Sequence, residues 1–156
     1  MSMTSANPAV GRHQDVNTLL AHVLEVARTV PLSVTRVQLA SFFRSAVNGD
    51  RLIDSLSFAT TLSEGQAGIL LYVLTSAKLI KVEIDAKGLR SSDAYLVHLV
   101  GITRSVFTDA DGEPYTKIGV EFIQGGGFGL RYSTHDSDVT EFFSSVDQAA
   151  REASHR

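Results

Sequence analysis

The sequence predicts an α+β fold in which a helical hairpin comes first, a run of antiparallel strands follows, and a final helix closes the chain. Three observations predict it. Apolar residues recur at helical spacing before residue 50, they recur so again after residue 137, and between the two they alternate, with turn residues about every ten positions. At 156 residues the chain is long enough for one well-buried core and too short for two large ones.

Composition bounds what the chain does. Hydrophobic residues at 44% and charged residues at 20% exclude the low-hydrophobicity, high-charge profile of a disordered segment. A formal net charge of −3 provides no global positive field to draw the molecule to nucleic acid or an anionic membrane, so any such binding needs a local patch. The absence of cysteine excludes disulfides, thiolate zinc sites and a cysteine nucleophile. The opening MSMTSANPAVGRH shows neither a basic start with an apolar core behind it nor a long apolar run. The expected compartment is therefore the cytoplasm, and Pro8 and Gly11 among small polar residues predict a flexible leader over residues 1–13.

Residues 14–49 read as the helical hairpin. Val16, Leu19, Leu20, Val23, Val26, Ala27 and Val30 place one apolar stripe on a helix that Pro31 stops. Leu39, Phe42, Phe43, Ala46 and Val47 form a second stripe, with Ser33 as the expected cap and Gly49 as the expected left-handed stop. These faces need cover, from the rest of the chain or from a second copy. Phe42 and Phe43 are expected to pack inward.

From residue 50 to 156 the pattern is β until the last helix. Leu52, Asp54, Leu56, Phe58 and Thr60 are expected on one face of a first strand, with Ile53, Ser55, Ser57 and Ala59 on the other. LSEGQAG turns the chain. Ile69–Thr75 and Leu79–Asp85 form a hairpin, because two strands keep Ile80, Val82 and Ile84 together and send Lys81, Glu83 and Asp85 to water, whereas one continuous helix would mix them. Ala86–Asp93 reads as a loop, and Ala94–Thr108 as a long β segment bent near Gly101. DADGEP, a strand over Tyr115–Ile123, QGGG and a strand over Phe128–Ser133 follow, the Asp-Gly and Gly-Gly pairs serving tight turns. Asp138 with Glu141 gives a capping-box start to the last helix, whose stripe is Val139, Phe142, Phe143, Val146, Ala149, Ala150 and Ala153. A sheet must cover that stripe.

Seven short strands, a hairpin carrying LTSAKLI and one closing amphipathic helix together resemble the pleckstrin-homology-like superfold, in particular its GRAM and bacterial PH branches. Leu74, Thr75, Lys78, Leu79 and Ile80 are similar to that family's second hairpin, Ile102 and Thr103 in LVHLVGITRSV to its Ile-Thr strand opening, and TEFFSSVDQA to its closing helix. The likeness covers Arg51 to about Ala153. It implies a PH-like barrel of about seven antiparallel strands in two near-orthogonal sheets, capped by the C-terminal helix. It also implies a non-enzymatic module that binds a protein or peptide. An anionic lipid-headgroup adaptor and a structural subunit of a larger assembly are the alternatives. Lipid-binding members place Lys and Arg around the first hairpin, while here that tip carries only Glu64.

Residue types that suggest chemistry are better explained locally. HDSD, His135 to Asp138, has the composition of a metal or acid–base site, but acidic residues belong at a helix start, where they accept free backbone N–H groups. DADGE opens like a calcium loop and lacks the later ligands. QGGGFG is followed by a strand, whereas a phosphate cradle needs a helix there. His98 in LVHLV has no second histidine at ligand spacing and is expected as a hydrogen-bonded strand residue, and no GxSxG or SxxK pattern supports a serine nucleophile. No catalytic residue, cofactor or metal is therefore expected. Lys78, Lys81, Lys87 and Arg90 cluster around the second hairpin as the candidate anion or partner contact, diluted by Glu83, Asp85 and Asp93. A homo-oligomer built through the N-terminal helices is a further expectation.

Overall fold

A computed structural model of the chain describes residues 2–5, 11–62, 65–123 and 126–155. The first hairpin tip at Ser63 and Glu64 and the first half of QGGG lie outside them.

Two helices lead. α1 (Val16–Val26) is capped by Asp15, whose side chain accepts the Thr18 N–H at 3.0 Å, and α2 (Arg36–Val47) by Thr35. α1 ends four residues earlier than its apolar stripe, because beyond Val26 the chain tightens into i→i−3 bonds, Arg28 N–H to the Glu25 carbonyl and Thr29 N–H to the Val26 carbonyl, ahead of Pro31, which disfavours a helical residue before it. Thr35 displaces Ser33 as the cap because Gln38, three residues on, completes a capping box with it. Asn48 rather than Gly49 is the first left-handed residue at the far end, with φ 32°, and Gly49 follows at φ 84°.

Seven strands follow: β3 (Leu52–Thr61), β4 (Ala67–Thr75), β5 (Lys78–Asp85), β6 (Gly88–Tyr95), β7 (Leu99–Thr108), β8 (Pro114–Phe122) and β9 (Gly127–Ser133), and then α3 (Ser137–Ser154). The break in LTSAKLI is a hairpin turn, with Leu74 opposite Leu79 and the Thr75 hydroxyl accepting the Ala77 and Lys78 N–H groups. Two short strands precede these, β1 (Ser2–Ser5) and β2 (Gly11–Arg12). The described parts of the expected leader are therefore built into the fold. β1 pairs in parallel with β9, and β2 pairs with β3, where the Ser55 hydroxyl donates to the His13 carbonyl at 2.6 Å.

The strands form two sheets, ordered β2-β3-β4-β5-β6 and β1-β9-β8-β7, and among the described residues no ladder joins them into a closed barrel. The loop expected over 86–93 is mostly β6, an edge strand paired among the described residues only with β5. The long segment expected over 94–108 is split by a 3₁₀ turn at Leu96–His98, so His98 lies in a turn and not in a strand. The expected irregularity near Gly101 is a register shift between Leu99 and Gly101.

Period-two alternation gives the five-stranded sheet two buried faces. Leu70, Tyr72 and Leu74 of β4 join β8, β9 and α3 in one core, while Ile69, Leu71 and Val73 join Ile80, Val82, Ile84 and the helical hairpin in another. Leu19, Val23, Leu39 and Phe43 thus find their cover within the chain. A register shift between Leu52 and Asp54 turns Leu52 to the helical side while Leu56 and Phe58 face the sheet core. All seven apolar residues of the α3 stripe are buried, with Phe142 and Phe143 edge to face at 5.2 Å. Asp136, rather than a box built on Asp138, caps α3 by accepting the Val139 N–H at 3.3 Å.

Candidate binding surface

Of the seven large apolar side chains that are exposed among the described residues, six lie between Tyr95 and Ile123: Tyr95, Val97, Val100, Val106, Phe107 and Ile123. The seventh, Val37, lies on α2. Tyr95, Val97, Val100 and Ile123 gather at the corner where the chain leaves β6, crosses the 3₁₀ turn and enters β7, and Val106 and Phe107 lie at the other end of β7, next to the β7–β8 turn.

β7 is the outer strand of its sheet. The Asp109 N–H donates to the Glu113 carbonyl at the base of the β7–β8 turn. Hydrogen bonding alternates along an antiparallel pair, so Thr103, Ser105 and Phe107 direct their backbone groups to β8, and Ile102, Arg104, Val106 and Thr108 direct theirs outward. Val106 at 65% exposure and Phe107 at 44% stand on opposite faces of β7, so the outer half of that strand is open on both faces. Phe107 is held by a ladder of rings and cations on the outer sheet face. It stacks on Tyr115 at 5.5 Å, Lys117 Nζ lies 5.1 Å from its centroid, and the Arg131 guanidinium lies 3.7 Å over Tyr115.

Next to the start of β7 the two sheets part in a cleft of about 580 Å³. Leu79, Ala94, Phe122 and Phe128 give it apolar walls, and Lys81, Ser92 and His98 give it polar ones. His98 sits edge-on to Tyr95 with centroids 6.1 Å apart, and its carbonyl accepts the Ile123 N–H. Tyr72 lies directly across from Lys81 on β4 and stacks on Phe128 at 5.0 Å. Its buried hydroxyl has no hydrogen-bond partner among the described residues, and burial holds the phenol far above its ordinary pKa.

The four basic residues named from the sequence are not brought together as one patch. Lys78 Nζ pairs with Asp93 at 3.4 Å, Arg90 binds Asp85 at 2.8 Å and reaches Glu83 at 3.6 Å, and the Lys87 N–H donates to Asp85. Asp85 is not in water as alternation suggested. It is buried, and the Arg90 hydrogen bond, followed by the Lys87 N–H, holds its carboxyl below the usual range. Only Lys81 lines the cleft, with Glu83 at 3.7 Å, beyond hydrogen-bond length.

Two clusters were not visible in the sequence. Arg12 of β2 donates to the fully buried Asp54 at 2.8 Å and also binds Glu141 of α3, tying the N-terminal strand to both neighbours. The His13 and His22 rings lie 4.7 Å apart with both Nε2 atoms buried and unpartnered among the described residues, and burial first, then the nearby His13, lowers the His22 pKa. Among the described residues, no group of three or more His, Cys, Asp or Glu is placed to hold a metal ion. HDSD, likewise, serves as the α3 cap, and DADGE as a turn in which the Asp109 side chain accepts the Asp111 and Glu113 N–H groups.

No protein-family model, curated protein or solved structure matches the chain. No helix among the described residues is long and apolar enough to cross a membrane.

Proposed function

We propose that the chain is a non-enzymatic interaction module that receives an extended segment of a protein partner along β7. The observation that carries this reading is a ten-residue edge strand, paired with β8 on one side and with no strand on the other among the described residues, whose outer half exposes Val106 on one face and Phe107 on the other. Strand addition to such an edge supplies affinity through backbone pairing and specificity through alternate side chains. One charge, Arg104, and no proline lie along β7, and its irregularity is confined to Leu99–Gly101, so the stretch from Ile102 to Thr108 carries few of the guards that ordinarily prevent pairing. The seven strands β3–β9, spread over two sheets to which β1 and β2 add short edges, and the buried amphipathic helix after them support the PH-like reading with its near-orthogonal sheets, and that superfold hosts binders of several kinds. Internal ion pairing at Lys78 and Arg90 favours a protein partner over an anionic lipid headgroup, and the covered faces of α1 and α2 favour β7 over the helices as the contact.

The test is selection from a displayed random-peptide library, followed by amide NMR shifts. Selected peptides are expected to move Ile102, Arg104, Val106 and Thr108 and to lose binding in Arg104→Pro, which removes one outward N–H that no internal ladder uses. Peptides that bind Arg104→Pro as well as the parent chain, or shift only other surfaces, defeat the reading.

A further inference from the structure

The cleft between the sheets lies beside the start of β7, but its chemistry differs from that of a strand edge. Register decides which charges enter it. Lys81 pairs with Ser92 and Leu79 with Ala94, so these four side chains share the inner face of β5 and β6. Asp93 borders the cleft through its place on β6, but it is opposite Ile80, which is buried against the helical hairpin. Its carboxylate is accordingly turned to the other face, where Lys78 binds it. The cleft is left with apolar walls of Leu79, Phe122 and Phe128 and one side-chain cation, Lys81, whose contact to Glu83 is loose.

We infer that this cleft binds an apolar group ending in a carboxylate, with the apolar part against Phe122 and Phe128 and the carboxylate on Lys81. A volume of about 580 Å³ is that of a ligand site, and apolar walls with a few directed polar groups are the usual composition of one. Lys81 supplies the charge complement, and Ser92 and His98 supply further hydrogen-bonding groups at the rim. Tyr72, paired with Lys81 from β4 and stacked on Phe128 of the apolar wall, carries a buried hydroxyl with no partner among the described residues. The inference is independent of strand addition along β7, since Arg104→Pro leaves the cleft untouched.

The carboxylate has two sources, a free organic acid or the C-terminus of a peptide that ends in an apolar residue. Calorimetric titration of the full chain with decanoate and with decanol tests the first, and an acetylated Ala-Ala-Leu acid with its amide tests the second. A preference of about tenfold or more for the charged member of either pair is expected, with Lys81→Met removing it and Lys78→Met retaining it. A charged preference with decanoate identifies the free acid, and one with the tripeptide identifies a chain terminus. Binding of neither acid at millimolar concentration overturns the inference. So does equal binding of each acid and its neutral partner, or equal loss in the Lys78→Met control. An unchanged melting temperature for Lys81→Met shows that the loss is local, since a contact as long as Lys81–Glu83 adds little to stability.

Discussion

Replacing Arg12 by methionine leaves the Asp54 carboxylate in a site with no solvent exposure and without its cation. In the parent chain burial already raises the Asp54 pKa above its ordinary value of 3.8, and the Arg12 hydrogen bond and charge, with the Ser55 N–H, only partly oppose it. Without Arg12 the pKa rises further and Asp54 takes up a proton. Protonating an ordinary aspartate at pH 7 costs about 4.4 kcal/mol, from about 1.36 kcal/mol for each of the roughly 3.2 pH units between 3.8 and 7, which sets the ceiling on the electrostatic loss. The parent chain already carries part of that cost, so the expected loss is about 3 kcal/mol, at the lower end for a broken buried pair. The sign of its pH dependence follows. A carboxyl whose folded pKa is raised binds more protons folded than unfolded, so the penalty is full above the folded pKa and absent below 3.8. Lowering the pH from 7 to 5 should therefore narrow the gap between parent and variant, by up to about 2.7 kcal/mol. Urea denaturation at both pH values, followed by circular dichroism because the chain has no tryptophan, reads both quantities. A loss under about 1 kcal/mol, or one equal at pH 5 and 7, would show that Asp54 is hydrated and that Gly11–His13 does not hold the sheet to α3.

Three further outcomes follow from the packing. Phe142→Ala should lose about 3–5 kcal/mol in the same denaturation assay, because the ring is fully buried among Phe143, Tyr72 and the sheet core. A loss below about 1 kcal/mol would mean that α3 does not seal that core. Gly68→Ala should lower the melting temperature by about 4–8 °C, since a Cβ there would lie 2.5 Å from the Ile84 carbonyl oxygen, a backbone atom that cannot move aside. Asp85→Asn removes a carboxyl whose folded pKa is depressed, so the stability it contributes is present above 3.8 and disappears as pH falls through the folded value. Acid titrations of parent and Asp85→Asn should converge at low pH, and a gap that stays constant would contradict the Arg90–Asp85 pairing.

Legibility followed burial. α3 was readable from an apolar period that the tertiary structure uses unchanged, β5 from an alternation that only the buried Asp85 breaks, and β4 from a short continuous apolar run ended by the polar turn at Thr75. β6 was not, because GLRSSDAY is an edge strand largely in solvent, and a strand that buries little need not alternate. β1 and β2 were invisible for a related reason. They are held by partners more than forty residues distant, at Ser55 and Ser57 for β2 and beyond Phe128 for β1, and two to four residues carry no period. The candidate surface was legible only in part. The basic cluster was found as composition, while its division into Lys81 in the cleft and Lys78 and Arg90 in ion pairs depends on which strand face each occupies.

The order of residue types by itself determined the helical hairpin, the strand-rich middle and the closing helix, because local period and turn chemistry act over a few residues. Tertiary structure alone decided which edges stay open and which charges find each other. β7 is an outer strand, Asp54 meets Arg12, and the sheets part beside Lys81 because strands distant in the chain settle into one particular order and register, and only that order fixes what is left facing water.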